Sequence, residues 1–411
     1  MSRYQKIFES NSFTALDDTT RSLLVSLQDG RLSFQQMREM VVMARDFRSW
    51  EKPNLSALLS GDTLTLPEQG RAFFGLVRER WLSYKKSGPS YEEKASTSRR
   101  SVRPTHFSDP TRNVLGPCPV ASPKTLCCNL YTIDAALGCG FSCSYCSVQT
   151  FYSPGEAALD TGLHERLAAL ELDPNVYYHI GSGQSSDPLM WGNRAEVLKA
   201  QVDFARQNPN VFLELKTKSD HLSPLLELNP PENLFLSWSL NTDAVVTHEE
   251  HGTASLERRL DTARQAADSG IKVGFHFHPM VRYQGSFAEY QAIIAEVMRR
   301  FSTDEIAFVS LGTLTFIKSV LKTLRETPSK SKILQMPMEQ QAGKWSYPYA
   351  MKREIFQAAW EAFGPWRDEV FFYICMEDPR LWEEVLGWKY ENNEAFESAM
   401  LAQLRTKLIT P

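Results

Sequence analysis

The spacing of apolar residues changes near residue 126, and this change divides the chain into two kinds of structure. Before residue 90, apolar positions recur at helical spacing over 20–28, 34–47 and 66–84. Pro67 opens the last of these stretches and Gly88-Pro89 closes it, as helix boundaries require. The pattern predicts an accessory helical region over residues 1–90, in which we find no residues that suggest chemistry.

From residue 126 onwards, short apolar runs alternate with amphipathic helical stretches. Strands separated by helices of this kind indicate a parallel sheet with right-handed crossovers. Six such units predict an α/β fold, an open partial (β/α)6 barrel over 126–315, whose chemistry gathers at the carboxyl ends of the strands. The predicted strands are 130–137, 176–180, 211–216, 234–240, 271–277 and 305–311, and the clearest helices are 194–207, 256–269 and 287–301.

Two segments flank the predicted barrel. Residues 91–125 are rich in Ser, Thr, Pro and Arg and lack apolar periodicity, which predicts a linker. Residues 316–411 begin with a loop-rich stretch and continue as helix, a short strand over 370–375, and two further helices. We interpret them as a substrate-side loop followed by a C-terminal α/β extension.

Composition and charge narrow the class of protein. The chain has 411 residues, of which 42% are hydrophobic and 23% charged, so it can bury a sizeable core. A net charge of −4 gives no general attraction to nucleic acid, and any basic surface must be local. We find no apolar run long enough for a signal peptide or a membrane span, and we predict a cytoplasmic protein with reduced thiols.

Two local segments are basic. Residues 78–112, which include Arg99, Arg100 and Arg103, hold nine Lys or Arg against four Asp or Glu. Residues 312–353 hold eight against two, and aromatic residues interleave with them over 344–349. This composition suits single-stranded or distorted nucleic acid, so we predict DNA contacts over 78–112 and 316–353. A solvated surface loop is the alternative for each.

The strongest chemical signal is the stretch from Gly138 to Ser147, which we call the cysteine loop. It carries Cys139-x3-Cys143-x2-Cys146. An iron–sulfur cube takes one thiolate per iron, so three cysteines leave one iron open to another ligand. The alternative is structural zinc, which needs four ligands and here finds only the Cys127-Cys128 pair nearby.

The cysteine spacing, with Tyr145 before the last cysteine, is similar to the signature of the radical S-adenosylmethionine superfamily. Over about 130–300 the chain further resembles the spore photoproduct lyase family, which splits a UV-induced thymine dimer in DNA. The resemblance is carried by five further segments, which are 181–187, 216–218, 237–241, 274–285 and the Lys344, Trp345 and Lys352 positions.

The resemblance implies a specific site. Cys139, Cys143 and Cys146 would hold a [4Fe-4S] cluster. The residues implied for S-adenosylmethionine are Ser186, Asp187, Lys218 and Ser239. Reduction by a flavodoxin or ferredoxin would let the cluster cleave the sulfonium to methionine and a 5′-deoxyadenosyl radical, and damaged DNA would be the substrate. Tyr145 and Tyr349 are the predicted catalytic residues.

Two positions depart from the family pattern. Gln184 stands where the family has the cysteine that returns a hydrogen atom, and Ser147 stands where it has a tyrosine. Cys375, Cys127 or Cys128 are candidates to replace the donor, and Tyr347 or Tyr349 to act as relay. Three functions stay open, which are a lyase acting on a DNA lesion, a radical enzyme acting on RNA, peptide or metabolite, and a non-catalytic metal module that binds nucleic acid.

Overall fold

The computed structural model describes residues 3–59, 70–91, 102–109, 111–118, 121–122, 124–151, 156–326 and 331–409. The chain forms two compact units, one of residues 1–92, 282–284 and 318–339, the other of the remainder. Pro67, Arg99 and Arg100, which the sequence singled out, lie outside the described residues. The domain boundaries read from the sequence stay predictions.

The first unit is helical, which confirms the N-terminal helical region. Ser33 and Gln36 form a reciprocal capping box at the start of the longest N-terminal helix described before residue 60. Met37, Met40 and Phe47 on that helix are fully buried at helical spacing and form its core. The helices are Gln5–Phe8, Asn11–Thr14, Asp18–Ser26, Phe34–Ser49, Gly70–Ser87 and Lys318–Glu326, with 3-10 turns at Leu27–Asp29, Leu55–Leu58 and Ile333–Gln335.

An eight-stranded sheet forms the centre of the second unit. Its strands are β1 (Leu115–Pro117), β2 (Tyr131–Ile133), β3 (Tyr178–Ser182), β4 (Val211–Thr217), β5 (Leu234–Ser239), β6 (Val273–Met280), β7 (Ile306–Thr313) and β8 (Phe372–Ile374). They lie in the order β8-β7-β6-β5-β4-β3-β2-β1. Each neighbouring pair from β2 to β8 is parallel, and β1 is antiparallel to β2.

In the part of the chain that the structure describes, the large sheet has seven parallel strands, whereas the sequence predicted six. The seventh, β8, comes from the C-terminal extension and pairs with β7. Its apolar run of three strand residues is too short to indicate from sequence that this strand joins the large sheet. The predicted first strand over 130–137 is also divided, because only Tyr131–Ile133 joins the large sheet while Ala136–Leu137 pairs with Ala158–Asp160.

Helices connect the strands as the parallel topology requires. The helix predicted to start at Arg194 begins as a 3-10 turn, because Ala195 and Glu196 have left-handed backbones. The helices are Leu163–Ala168, Val197–Gln207, Ser223–Leu226, Asp243–Glu249, Leu256–Asp268, Ser286–Arg300, Tyr349–Ala362, Pro379–Leu386 and Asn393–Leu408, with 3-10 turns at Gln149–Phe151, Arg194–Glu196, Thr303–Glu305 and Gly364–Trp366. The short strands are Thr105–Phe107, Ala136–Leu137, Ser142–Cys143, Ala158–Asp160, Glu250–His251, Thr315–Phe316, Glu339–Gln341 and Lys344–Ser346.

The segments that precede β2 and follow β8 are joined by a short contact that we call the seam, made of residues 126–129 and 375–377. Residues 126–129 precede β2, the neighbour of the edge strand β1, and residues 375–377 follow the edge strand β8. An isolated antiparallel bridge joins Leu126 to Glu377. The Cys127 backbone N–H donates to Asn393 Oδ1 at 3.0 Å. The seam therefore links the β1–β2 end of the sheet to its β8 end, which the strand order leaves apart.

A charged network lies inside the sheet. The Glu214 carboxylate on β4 lies 2.9 Å from His179 Nε2 and 2.7 Å from His276 Nε2, and Ser237 donates to it. Burial by itself raises the pKa of Glu214, but the two imidazoles hold it well below its usual value. Burial, together with the charge of Lys216, lowers the pKa of His276 to about 4. The network is thus a buried carboxylate held between two imidazoles.

Candidate active site

A cavity of about 210 Å³ opens at the carboxyl ends of the parallel strands. The cysteine loop, the turn after β3, the end of β4, Ser239 at the end of β5 and His278 on β6 line it. This is the end of a parallel β/α sheet at which chemistry is expected. All the predicted site residues except Tyr349 line this one cavity, and they are Cys139, Cys143, Cys146, Tyr145, Ser186, Asp187, Lys218 and Ser239.

Backbone pairing holds the cysteine loop in place. Ser142 and Cys143 form an antiparallel pair with His251 and Glu250. The Ser144 N–H donates to the Glu249 carbonyl oxygen at 2.8 Å. Gly138 starts the loop at φ 73°, and a Cβ on it would lie 2.2 Å from the Glu156 carbonyl oxygen. Only glycine fits there, because any side chain would overlap that oxygen.

Glu250 connects the cysteine loop to the end of β5. Its carboxylate is buried and accepts hydrogen bonds from the Tyr145 hydroxyl and from Arg259 Nη2, the latter at 2.5 Å. Arg259 also donates to the Ser239 carbonyl oxygen at 2.8 Å. Burial alone would raise the pKa of Glu250, but the charges of Arg259 and Lys218 lower it to about 2. Glu250 is therefore an anion held between the loop and β5.

The Lys218 ammonium faces the cavity from the end of β4. Its Nζ lies 3.1 Å from the Tyr145 hydroxyl and 3.8 Å from Cys143 Sγ. Burial by itself lowers the pKa of Lys218, whereas Cys143 and Glu250 raise it above its ordinary value. Lys218 is thus a cation beside the cysteine loop, placed where it can meet an anionic group in the cavity.

Asp187 anchors the turn after β3. Its carboxylate accepts hydrogen bonds from the backbone N–H groups of Leu189, Met190 and Lys218, at 3.1, 3.0 and 2.6 Å. The Thr217 hydroxyl donates to it at 2.9 Å. Most of its acceptor capacity is therefore used within the protein. The structure gives Asp187 a positioning role, and its predicted contact with a cofactor stays a prediction.

Ser186 and Ser239 lie on either side of this anchor. Ser186 Oγ accepts a hydrogen bond from Trp191 Nε1 at 3.0 Å. This leaves its hydroxyl proton available to a ligand in the cavity. Ser239 is buried at the end of β5, where Arg259 fixes its carbonyl oxygen.

The donor set fits an iron–sulfur cluster better than a single metal ion. In the ranges that the structure describes, no group of three or more His, Cys, Asp or Glu side chains converges closely enough to hold one ion. A cubic cluster takes one thiolate per iron, so its ligands do not need to converge. Burial raises the pKa of both Cys139 and Cys143 to about 12, and metal binding would supply the positive charge that deprotonated thiols need there.

Gln184 occupies the cavity at the position where the family has a cysteine. Its Oε1 is buried and has no hydrogen-bond partner among the described residues. A buried acceptor without a partner costs about 1–3 kcal/mol, which a ligand N–H would recover. Of the proposed replacement donors, Cys127, Cys128 and Cys375 do not line the cavity, although Met376, next to Cys375, does.

The two C-terminal tyrosines lie outside the cavity. The Tyr349 hydroxyl donates to Glu384 Oε1 at 2.9 Å, and Arg380 stacks over its ring. Tyr349 is the first residue of its helix, which directs the side chain onto the helix Pro379–Leu386. Tyr347 is fully buried. The structure gives no support to the catalytic role predicted for Tyr349.

Part of the second basic segment is not available to nucleic acid. Lys332, Lys344 and Lys352 are 7%, 9% and 3% exposed. Lys352 pairs with the buried Glu377 at 2.6 Å, and Lys332 with Glu51 at 3.2 Å. The charge excess over 316–353 therefore overstates the basic surface there. Counts of charged residues cannot separate a buried ion pair from a solvated lysine.

Comparison with known families decides the relationship. The family model described as spore photoproduct lyase matches residues 124–362. The chain belongs to the spore photoproduct lyase family. The match includes the cysteine loop and every strand of the sheet from β2 to β7.

Curated members of the family are distant relatives. The chain is 25% identical over 223 residues to spore photoproduct lyase of Clostridium acetobutylicum, covering 53% of this chain and 65% of the relative. It is 27% identical over 191 residues to that of Geobacillus sp., covering 45% and 54%. The chain thus spans between half and two thirds of the length of these two relatives. The match to the Bacillus subtilis protein is 23% over 235 residues, 55% of this chain and 68% of the relative.

Solved structures of family members confirm the fold. A spore photoproduct lyase complexed with dinucleoside spore photoproduct aligns with a TM-score of 0.56 at 20% identity, covering 66% of this chain and 82% of that one. A mutant with bound AdoMet and dinucleoside spore photoproduct aligns with a TM-score of 0.55 at 18% identity, covering 72% and 94%. The predicted partial barrel is therefore confirmed.

None of the helices in the described ranges combines the length and the apolar character that crossing a bilayer requires.

Proposed function

We propose that the protein is a radical S-adenosylmethionine enzyme of the spore photoproduct lyase type that acts on damaged DNA. The observation that supports this proposal is that the cysteine loop, the turn after β3 and Lys218 line one cavity in a chain of this family. A thymine photoproduct or a related lesion is the proposed substrate. The proposed site is that of a [4Fe-4S] cluster and S-adenosylmethionine.

The residues of the cavity divide the work of holding these groups. Cys139, Cys143 and Cys146 would ligate three irons, which leaves the fourth for the cofactor. The Lys218 ammonium is placed to bind its carboxylate, and the Ser186 and Ser239 hydroxyls to bind its polar groups. When bound, the cluster and cofactor supply a 5′-deoxyadenosyl radical by one-electron cleavage of the sulfonium.

The chain's own scaffold would control where this chemistry takes place. Asp187 fixes the turn that carries Ser186, and Glu250 fixes the loop that carries the cysteines. A substrate entering the cavity meets Gln184, His278 and Thr313 on the walls that these two anchors leave open. Positioning of the reacting groups is one of the contributions that a protein makes to cofactor chemistry of this kind.

The substrate is proposed from the relatives. The curated relatives are named spore photoproduct lyases, and a solved relative carries dinucleoside spore photoproduct. DNA contacts over 78–112 and 316–353, a flavodoxin or ferredoxin as electron donor, and a cytoplasmic location complete the proposal. Reduced thiols in the cytoplasm are what cluster ligation requires.

The test is an anaerobic turnover assay. The protein is reconstituted with iron and sulfide, reduced with dithionite, and given S-adenosylmethionine with and without UV-irradiated DNA, beside a Cys143→Ala control. We expect 5′-deoxyadenosine from the wild type, more of it with irradiated DNA, and none from the control. A cluster-loaded protein that yields no 5′-deoxyadenosine would refute the proposal and favour a non-catalytic metal module.

Gln184 supports a second candidate, a radical enzyme that acts on a different substrate, such as RNA, a peptide or a metabolite. An amide has no weak S–H bond to return a hydrogen atom, so the family's repair step lacks its usual donor at this position. The same assay separates the two candidates. If irradiated DNA neither raises nor lowers the yield of 5′-deoxyadenosine, the result would favour the second candidate.

A further inference from the structure

Three of the four cysteines outside the cysteine loop lie in the seam, and the fourth, Cys118, lies beside it. They come from three separate segments, because Cys118 follows β1, Cys127 and Cys128 precede β2, and Cys375 follows β8. None of the four is in a disulfide. More than half of the protein's seven cysteines are therefore placed where the two edges of the sheet meet.

Backbone geometry brings these segments face to face. The antiparallel bridge between Leu126 and Glu377 sets Cys128 opposite Cys375 on the facing segment. The Cys118 N–H donates to the Leu130 carbonyl oxygen at 2.9 Å, which continues the antiparallel β1–β2 pairing past both strands. The electrostatic environment of Cys128 includes Cys127, Cys375 and Cys118, so the four sulfur atoms share one neighbourhood.

Hydrogen-bond donors surround one of the four sulfur atoms. Cys127 Sγ accepts hydrogen bonds from the Cys128 thiol and from the backbone N–H groups of Cys128 and Asn129. Asn129 has a left-handed backbone at φ 52°, the conformation that turns successive N–H groups towards an anion. A buried packing thiol has no need of such donors.

Two lysine side chains interact with the thiols. Lys344 is 9% exposed and interacts with Cys375, Cys118 and Cys127. Lys216, at the end of β4, interacts with Cys375 and Cys118. Burial lowers the pKa of both lysines, whereas negative charge on these cysteines raises it. A metal centre held by four thiolates is an anion, and such an anion would be stabilised by the two lysines in their charged form.

We propose that Cys118, Cys127, Cys128 and Cys375 ligate a second iron–sulfur cluster that cross-links the two edges of the sheet. Four soft thiolate donors suit such a cluster or a single zinc or iron ion. The inference does not depend on the proposed radical chemistry, since it concerns a different set of ligands.

The test uses the full chain with the first cluster removed. A Cys139→Ala/Cys143→Ala/Cys146→Ala variant is reconstituted anaerobically with iron and sulfide, desalted and analysed for metal, sulfide and visible absorption. We expect iron and acid-labile sulfide in equal amounts, about four of each per chain for a cubic cluster. We also expect the thermal unfolding midpoint to rise on reconstitution, because the cluster joins the sheet edges.

The reciprocal variant provides the matched control. Cys118→Ser/Cys375→Ser keeps the cysteine loop and should lose about half of the wild-type iron. Its electron paramagnetic resonance signal should change on addition of S-adenosylmethionine, whereas the signal of the triple variant should not. A triple variant that is folded by circular dichroism and binds no iron, iron without sulfide, or one zinc would overturn the proposal.

A measurement on the wild-type protein covers the case in which the variants do not fold. Alkylation of the native protein, followed by peptide mass spectrometry, reports each cysteine separately. We expect Cys118, which is partly exposed, to be alkylated in the metal-free protein and protected after reconstitution. Equal alkylation before and after would overturn the proposal, even if the cysteine loop becomes protected.

Discussion

Removal of the Glu250 charge should destabilise the protein and loosen the cysteine loop. Glu250 and Arg259 form an ion pair at 2.5 Å in which both side chains are 0% exposed. The Glu250→Gln variant keeps the size and one acceptor oxygen of the side chain. It leaves the guanidinium inside the protein without its anion, which is the costly way to break a buried pair.

The magnitude follows from the geometry. Two unit charges about 4 Å apart attract by roughly 4 kcal/mol at an effective dielectric constant of about 20. The glutamine oxygen can still accept a hydrogen bond from Arg259, which recovers roughly 1 kcal/mol. We therefore expect the free energy of unfolding to fall by about 3 kcal/mol, within the range of about 3–5 kcal/mol typical of a broken buried pair.

Glu296 provides the matched control. The pKa of Glu296 is also lowered to about 2, by hydrogen bonds from Arg299 and Arg300. Its side chain is 32% exposed, whereas that of Glu250 is fully buried. Since water screens the exposed pair, Glu296→Gln should change the unfolding free energy by only a small fraction of the Glu250 effect.

Two assays measure the result. Urea denaturation followed by tryptophan fluorescence gives the unfolding free energy, and Trp238, which is fully buried in the sheet, reports on this unit. The rate at which Cys143 is alkylated in the metal-free protein reports on the loop, because Cys143 pairs with Glu250 through the backbone. Equal urea midpoints and equal alkylation rates in wild type and Glu250→Gln would refute the assigned role.

Three further outcomes are expected. Gly183→Ala should abolish 5′-deoxyadenosine formation and lower stability, because Gly183 has φ 117° and a Cβ there would lie 2.1 Å from the Lys216 carbonyl oxygen. In the control variant Gly116→Ala the added Cβ has nothing within 4 Å, so this variant should be neutral. Asp187→Asn should lower the yield of 5′-deoxyadenosine at least tenfold at unchanged iron content, because the amide nitrogen that replaces one carboxylate oxygen cannot accept a hydrogen bond. An unchanged yield would contradict the anchor role. The pKa of His276 is about 4 in the folded protein and about 6.5 in the unfolded chain. The stability that comes from this difference is therefore fully present above the unfolded value and is lost on acidification. Urea titrations should show a fall of about 2 kcal/mol in the free energy of unfolding from pH 7 to pH 5. His276→Gln should lose this part of the pH dependence, and an unchanged slope would contradict it.

The fold was predictable wherever periodicity alone sets the structure. The helix 256–269 and the strands 211–216 and 234–240 were placed within one or two residues, because buried β/α units show continuous apolar runs between amphipathic helices. The strand β8 was predicted as a short strand of the C-terminal extension and not as part of the sheet, because its pairing with β7 depends on partners about 60 residues away in sequence. The seam was not predicted for the same reason, since one bridge leaves no pattern in the sequence.

The cavity was predictable to the extent that its residues belong to local motifs. The cysteines and Lys218 follow directly after strands, where the topology places them together. Glu250 and Arg259 were missed, because Arg259 is a charged residue on the buried face of an amphipathic helix and its role appears only with its partner. Charged residues at apolar positions of a helix were the available signal. Tyr349 was chosen by resemblance alone, without a strand end to place it.

The pairing of the cysteine loop with residues 249–251 has a consequence for the order in which the protein matures during synthesis. Cys143 and its backbone partner Glu250 are separated by more than a hundred residues, and Arg259, which fixes Glu250, is encoded later still. A ribosome-bound chain that ends before Arg259 would carry all three loop cysteines without the segment that shapes them. Metal delivered at that stage would meet a mobile loop. We therefore expect stable cluster insertion to follow the folding of β5 and its helix, so that assembly factors act on a nearly complete chain.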